Sequence, residues 1–129
     1  MSALESDDMT AYKDKYLTEL MNKTFTEARM EEFMKEQDYQ RKIVKALEAK
    51  GAYVVKVVAA TKKGVPDILA CYKGHFIAIE VKTPLTRANV SKLQDYNLDL
   101  VSEAGGISGI AVEVDDIMPF IREIDNDNS

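Results

Sequence analysis

The sequence has very few of the residues that form disulfides and zinc centres. Its 129 residues include a single cysteine, Cys71, and a single histidine, His75. One cysteine cannot form an internal disulfide and is typical of a reducing compartment, so we expect a cytoplasmic location. The same scarcity excludes the usual zinc sites, which need several His and Cys ligands.

Long apolar runs are also missing. None reaches the roughly 18 residues that a membrane-spanning helix requires. The first 15 residues are acidic and polar, unlike a secretory signal peptide. Apolar residues make up 46% and charged residues 30%, which is typical of a globular protein with one core. We therefore expect a globular chain with no membrane partner.

The chain has no overall excess of positive charge, since 22 acidic residues outnumber 17 basic ones. The charge is unevenly distributed: residues 1–35 carry a net −3, residues 36–83 a net +4 and residues 84–129 a net −6. Local positive charge governs phosphate binding more than the charge of the whole chain does. Residues 36–83 are therefore a candidate contact for nucleic-acid phosphates, although lysines on solvated faces would give the same count.

Hydrophobic periodicity predicts an α/β order of helix, three strands, helix, strand, helix. A first helix over Met9–Met21 is weakened at Asn22-Lys23-Thr24 and followed by one over about Thr26–Lys50, which Gly51 ends. The later elements are strands over Ala52–Ala60, Asp67–Tyr72, His75–Lys82 and Ile107–Val114, a helix capped by Thr86 that reaches Ala104, and a short helix capped by Asp115 that ends near Ile124. We expect a helical extension over residues 1–35 and one domain over residues 36–129.

A two-residue turn at Lys73-Gly74 predicts the register of the hairpin around it. Residues equally far from such a turn pair with each other, which places Asp67 opposite Glu80. Paired residues point to the same face, with Cβ atoms about 4.5–5.5 Å apart. Lys82 lies two residues beyond Glu80 and shares that face. The turn alone therefore predicts a cluster of two acids and one lysine.

Two adjacent carboxylates repel each other unless a cation joins them. The rest of the hairpin is apolar on both faces, which predicts a sheet covered on both sides with the acids at one end. Oxygen ligands in such a place favour magnesium or manganese over zinc. In the alternative interpretation, Lys82 only neutralises two surface acids at a strand end, and a bulge or a longer turn would change the pairing.

Two predicted helices direct polar groups toward the core. Glu36 and Gln40 extend the apolar face formed by Ile43 and Leu47. Gln94 lies within the inner face of the later helix, which we predict to consist of Val90, Leu93, Val101 and Ala104. Buried polar groups need partners, and a metal site or a nucleic-acid backbone would provide them. Alternatively, Glu36 stays solvated and both glutamines bond only to the backbone.

These residues resemble a known signature. Val65-Pro66-Asp67 followed by Ile79-Glu80-Val81-Lys82 is similar to the motif of the PD-(D/E)xK nuclease superfamily, and the wider arrangement resembles its virus-type replication-repair (VRR-NUC) branch. Glu36, Gln40 and Gln94 also match, and the resemblance covers about residues 36–112. It implies an α/β fold with a restriction-endonuclease-like core, in which helices flank a mixed central sheet. The acidic C-terminal third departs from the family pattern and argues against extensive DNA contacts there.

The resemblance implies specific roles. Asp67 and Glu80 would be ligands of Mg²⁺, for which Mn²⁺ would substitute, together with the backbone carbonyl of Val81. Lys82 would position or help deprotonate the attacking water and stabilise charge on the phosphate. Glu36 would complete the metal shell directly or through water, and Gln40 and Gln94 would support the site. No small-molecule cofactor is implied.

The chemistry of these residue types agrees with that assignment. Phosphodiester hydrolysis needs a metal that polarises the phosphate and lowers the pKa of water, which a neighbouring lysine can assist. Thr61, Lys62 and Lys63 lie in the loop before Asp67, where they would bind phosphates of the cut strand. An ordinary solvated loop would have the same composition.

The expected function is endonucleolytic cleavage of DNA, with structured or branched DNA such as four-way junctions or flaps as the expected substrate. Relatives of this stand-alone kind are similar to phage-encoded proteins, which would place the chain in a bacterial cytoplasm, and are often homodimers. Tyr12, Tyr16, Leu17 and Leu20 would bury the N-terminal helix against a second copy or against its own core. The alternatives are a non-catalytic DNA-binding or regulatory module with the same fold, and an acidic interaction protein whose motif is accidental.

Overall fold

The computed structural model describes the backbone of residues 8–127 and the side chains of residues 26–127. Contacts divide the chain into two compact units, Met1–Lys35 and Glu36–Ser129. Among the described residues, no helix is both long and apolar enough to cross a membrane. The second unit contains the whole sheet, and its elements follow the predicted order with helices on the flanks of a mixed sheet. The predicted fold class is confirmed.

A single helix, α1, runs from Asp8 to Ala49, so the predicted interruption at Asn22-Lys23-Thr24 is wrong. Asn and Thr lower helix propensity by less than about 1 kcal/mol each, and no glycine or proline falls within the helix to break it. The helix ends as predicted at Gly51, which has a φ of +95°. The side chains of Tyr12, Tyr16, Leu17 and Leu20 lie outside the described residues.

Four strands form one sheet in the order β1-β2-β3-β4. The first three are antiparallel, and β4 is parallel to β3. Their bounds are Tyr53–Lys56, Ile68–Tyr72, His75–Val81 and Ile107–Ala111. Lys73 and Gly74 both have positive φ, 49° and 82°, as a tight two-residue hairpin turn requires. Every pair from Ile68↔Ile79 to Tyr72↔His75 is in the predicted register.

Strand β1 is shorter than predicted and stops at Lys56. Its partner β2 begins at Ile68, whose pair is Lys56, and only one further bond follows, from the Val57 amide to the Asp67 carbonyl at 2.8 Å. Residues 58–60 therefore have no neighbouring strand with which to pair. They belong to a loop that continues to Asp67, the residue before β2.

The inner face of the sheet forms the core. Isoleucines of the central hairpin pack against α1 and against the C-terminal helix α3, Met118–Asp127. The fully buried side chains here include Ile43, Leu47, Ile68, Ile77, Ile79, Val81, Ile121 and Ile124. The outer face is different: Cys71 and Phe76, near the turn, are exposed. The prediction that both faces are covered along their length is wrong there, because α2 packs over β3 and β4 and leaves the turn end bare.

Helix α2 spans Lys92–Glu103 and is capped by Ser91, not by Thr86. The hydroxyl of Thr86 instead accepts the Thr83 amide at 2.9 Å and closes a turn directly after β3. Because α2 begins later than predicted, Leu93 is largely exposed, and Asn97 and Leu98 are the buried residues of its inner face.

The segment after β4 also differs in detail from the prediction. A 3-10 turn over Val114–Ile117 leads into α3, and Asp115 does not cap it. The carboxylate of Asp116 accepts the amides of Val112 and Glu113, each at 2.9 Å. These two hydrogen bonds lower the pKa of Asp116 and keep its carboxylate charged.

Candidate active site

Asp67 lies at the point where the hairpin ladder ends. The last backbone pair of β2 and β3 is Ile68↔Ile79. One residue further, the Asp67 carboxylate replaces the backbone as the acceptor, since its Oδ2 accepts the Val81 amide at 2.8 Å. The Asp67 carbonyl accepts the amide of Val57, the residue that follows β1. Both neighbouring strands therefore fix this aspartate, and its other carboxylate oxygen, Oδ1, is not used in that bond.

Glu80 is the buried partner of Asp67. It lies in β3 and is only 3% exposed, although it carries a carboxyl group. The amide nitrogen of Gln94 donates to its Oε2 at 3.0 Å, and the Nζ of Lys82 lies 3.7 Å from the same oxygen. The side chains of Asp67 and Glu80 are within hydrogen-bonding reach of each other. The predicted juxtaposition of two acids and a lysine is present.

The burial of this acid pair changes its protonation. Burial raises the pKa of Glu80 to about 8, and the negative charge of Asp67 contributes further, while Lys82 opposes both effects. Burial also raises the pKa of Asp67, against the opposing effect of its bond to the Val81 amide. Near neutral pH, and without a cation between them, the pair therefore holds a proton.

Lys82 is 6% exposed, and its ammonium group is held from two sides. It donates to the carbonyl of Asn89 at 3.0 Å and to Oε1 of Gln94 at 3.1 Å. An ammonium group has three N–H donors, so a third remains after these two bonds. The lysine is fixed in place by the loop that follows β3 and by α2.

Gln94 joins the site to the beginning of α2. Its side-chain oxygen accepts the Ser91 amide at 3.0 Å as well as the Lys82 ammonium, and its side-chain nitrogen donates to Glu80. The Ser91 hydroxyl accepts the Gln94 amide in return, which completes a capping box. One glutamine therefore caps the helix and orients both Glu80 and Lys82. The alternative that it bonds only to the backbone is wrong.

Helix α1 places Gln40 and Glu36 on the inner side. Gln40 is 4% exposed, and its Oε1 finds no hydrogen-bond partner among the described residues. Glu36 is half-buried, and its negative charge contributes to the raised pKa of Glu80, so it faces the same region. The described residues contain no group of three or more His, Cys, Asp or Glu side chains arranged to hold a metal. The role of Glu36 in the metal shell, directly or through water, stays a prediction.

Asn97 is a residue of this region that the sequence did not reveal. It is buried on α2 and donates to the Lys63 carbonyl at 3.1 Å and to the Leu93 carbonyl at 2.9 Å. It therefore ties the loop before Asp67 to α2. In that loop Thr61, Lys62 and Lys63 are exposed, as phosphate contacts would require, and their predicted role stays a prediction.

The donor set fits a magnesium ion. Mg²⁺ typically takes one or two carboxylates and keeps several waters, so Asp67 and Glu80 suffice as charged ligands. The buried Oε1 of Gln40 is an acceptor without a partner among the described residues, and its role in supporting the site stays a prediction. The Val81 amide donates to the Asp67 carboxylate. The role of the Val81 carbonyl as a metal ligand stays a prediction.

Comparisons with known proteins agree with this geometry. A solved structure described as a VRR_NUC domain superposes with a TM-score of 0.57 at 22% identity, covering 68% of this chain and 95% of that one. A search of curated proteins gives no match. The structural similarity confirms the fold that the sequence resemblance implied.

A mixed sheet with an acid pair and a lysine beside its central hairpin defines a nuclease domain of the PD-(D/E)xK class. Residues 32–121 match the profile of the family described as archaeal Holliday junction resolvase (hjc), and the chain belongs to this family. The predicted membership of the superfamily is confirmed.

Proposed function

We propose that the chain is a magnesium-dependent endonuclease that hydrolyses phosphodiester bonds in branched DNA. The observation that carries this proposal is the pair of half-buried Asp67 and buried Glu80 beside the buried ammonium of Lys82. Burying two like charges is unfavourable without a cation, so the pair is suited to ligand binding rather than to fold stability. The family name supports DNA junctions as the substrate class.

The metal would polarise the phosphate and lower the pKa of a water toward neutrality. Asp67 and Glu80 would hold it, with Mn²⁺ as a substitute, and Gln40 and Glu36 would bind its waters. Asp67 is prearranged for this task, since the Val81 amide already fixes the direction of its carboxylate. Little reorganisation is then needed when the ion binds.

Lys82 would orient the attacking water and stabilise charge on the phosphate. Two of its N–H groups are used by Asn89 and Gln94, which leaves one for the substrate. Lys62 and Lys63 would bind phosphates of the cut strand, since their loop leads directly into Asp67.

A homodimer would place two such sites for cutting two strands of a junction. In the first unit, Met30, Phe33 and Met34 lie at helical spacing on one side of α1, and each is more than half exposed. An exposed apolar helix face of this kind is typical of an interface. We propose that a second copy covers this face.

The test is incubation of the chain with Mg²⁺ or Mn²⁺ and single-stranded, duplex, flap and four-way-junction DNA. Asp67→Asn and Lys82→Ala should reduce cleavage by at least about a hundredfold while leaving the fold and DNA binding intact. Asp95→Asn and Lys92→Ala change exposed residues of α2 and are matched controls that should cut like the parent.

Cleavage by Asp67→Asn at the parental rate would contradict the assignment of the site. DNA binding by the parent with no metal-dependent cleavage would instead favour the non-catalytic DNA-binding module. Chelation with EDTA should stop cleavage, and added Mg²⁺ should restore it.

A further inference from the structure

A groove of about 520 Å³ lies between α2 and the outer face of the hairpin. Leu69 and Phe76 form its floor on the sheet, and Leu100 and Val101 form the facing wall on α2. This volume lies within the range of about 300–1,000 Å³ that is typical of ligand sites. Among the residues that line the groove, the proposed hydrolysis uses Lys62 alone.

The groove includes residues that flank Asp67 in the sequence. Pro66 and Leu69 line it on either side of Asp67 in the sequence, and Leu69 shares the outer face of the sheet with Asp67. Alternate residues of a strand are about 6.6 Å apart, so Leu69 lies about one nucleotide from Asp67. Phe76 pairs with Cys71, one such step further. The groove therefore extends along the hairpin from the neighbourhood of Asp67 toward the Lys73-Gly74 turn.

The charge of the groove suits a polyanion. No acidic residue is found among the described residues that line it, although the chain has 22 acids and only 17 bases. Its two ionisable lining residues are Lys62 and His75. His75 also lies 3.6 Å from the exposed carboxylate of Asp127, so Lys62 is the main positive group. Acidic surface elsewhere would repel DNA, and this groove would not.

Phe76 provides an aromatic surface. It is 47% exposed, an unusual condition for a phenylalanine in a central strand. A Cβ atom at Gly106 would lie 3.1 Å from its ring and 2.9 Å from Val101, so the absence of a side chain at Gly106 lets the ring pack closely at that edge. The ring is thus supported by the protein and still open to a ligand.

We propose that this groove binds a short unpaired stretch of DNA next to the scissile phosphate, with one base stacked on Phe76. Every nucleobase has a π-face, so such stacking binds a single strand without a preference for sequence. The inference rests on the proposed nuclease function and deepens it, because it predicts tighter binding of branched DNA that exposes an unpaired stretch at its branch point than of a blunt duplex. A second copy of the chain is the competing occupant.

The experiment measures DNA binding by fluorescence anisotropy in the Asp67→Asn background, so that no substrate is cut. Phe76→Leu keeps an apolar side chain but removes the ring, and should raise the Kd for a forked DNA about tenfold or more. The Kd for a blunt duplex should change less than about twofold, and Phe76→Tyr should bind the fork like the parent. Tyr53→Leu is the matched control, since Tyr53 is an exposed aromatic on the same sheet face but does not line the groove.

Two further measurements distinguish a loss of DNA binding from a folding defect of Phe76→Leu. Ala104→Trp fills the groove from its exposed rim and should weaken fork binding while Phe76 stays in place. A 2-aminopurine in the unpaired strand should lose fluorescence on binding to the parent, because stacking quenches it, but not on binding to Phe76→Leu.

Unchanged fork binding by both Phe76→Leu and Ala104→Trp would overturn the proposal, as would a parent that binds no forked DNA. If Phe76→Leu has a lower particle mass than the parent in sedimentation, and binds fork and duplex DNA equally more weakly, a second copy of the chain is the occupant of the groove. Failure of the nuclease function would appear separately, as absence of Asp67-dependent cleavage by the parent with Mg²⁺.

Discussion

Glu80 is the residue whose environment departs most from that of an ordinary carboxylate. It is buried beside Asp67, and the two acids hold a proton near neutral pH when no cation is bound. A metal would replace that proton, since a ligating carboxylate must be deprotonated. Proton binding and metal binding therefore compete at the same pair of side chains.

This competition gives a pH dependence with a definite sign. The pKa of Glu80 is about 8 in the folded protein, against an ordinary value of 4.5. Between these values the folded protein binds a proton that the unfolded chain has lost, so the free energy of unfolding falls as pH rises through this window. Urea denaturation in EDTA at about pH 5 and about pH 8 measures it, and Glu80→Gln should show a smaller fall than the parent.

Mg²⁺ should oppose this fall in the free energy of unfolding at higher pH. The ion binds the charged carboxylates, so its stabilising effect should be larger at about pH 8 than at about pH 5. Equal stabilisation at both pH values, or equal stabilisation of Glu80→Gln, would show that the ion binds elsewhere.

Gln94 gives a second prediction at this scale, because it serves both the helix cap and the site. Gln94→Ala should lose about 1 kcal/mol of stability and at least about tenfold in cleavage rate, since Lys82 and Glu80 both lose a hydrogen-bond partner. Ser91→Ala removes the cap alone and is the matched control. It should lose similar stability in thermal unfolding and keep the parental cleavage rate.

At the scale of elements, the register of the hairpin was predictable from the sequence and the start of α2 was not. The Lys73-Gly74 turn determines the register locally, so Asp67 and Glu80 could be placed together. The start of α2 depended on a choice between Thr86 and Ser91, which are both good capping residues. Ser91 prevails because Gln94 completes its capping box, while Thr86 bonds to Thr83. Asn97 escaped prediction because its partner, the Lys63 carbonyl, is distant in sequence.

The contact between the loop before Asp67 and α2 can be tested at Gly64. Its φ is +76°, and a Cβ atom there would lie 2.7 Å from Cγ of Leu93. Gly64→Ala should therefore combine backbone strain with a steric clash, costing at least about 2 kcal/mol in urea denaturation. Gly51→Ala is the control, because Gly51 also has positive φ but open space around its Cα. It should cost about 1 kcal/mol, and equal losses would argue against close loop packing.

At the scale of the whole molecule, the first unit, Met1–Lys35, contains none of the described strands. Replacing Met30, Phe33 and Met34 together by serine should convert the proposed dimer to a monomer in analytical ultracentrifugation. Cleavage of the two strands of a junction should then become uncoupled, while the rate at each strand stays within about threefold of the parent. The matched control replaces the exposed Glu31 and Lys35 by serine. A monomeric parent would contradict the proposal directly.

The bond between the Asp67 carboxylate and the Val81 amide has a consequence for folding order. The two acids lie on one short hairpin, so their contact closes a small loop and can form early, before α1 or α2 has docked. An early contact between two charged carboxylates would slow that step. Burial in the folded protein is what raises the pKa of Glu80, so the pair takes up its shared proton only as packing is completed, and the ion can replace that proton after folding is complete.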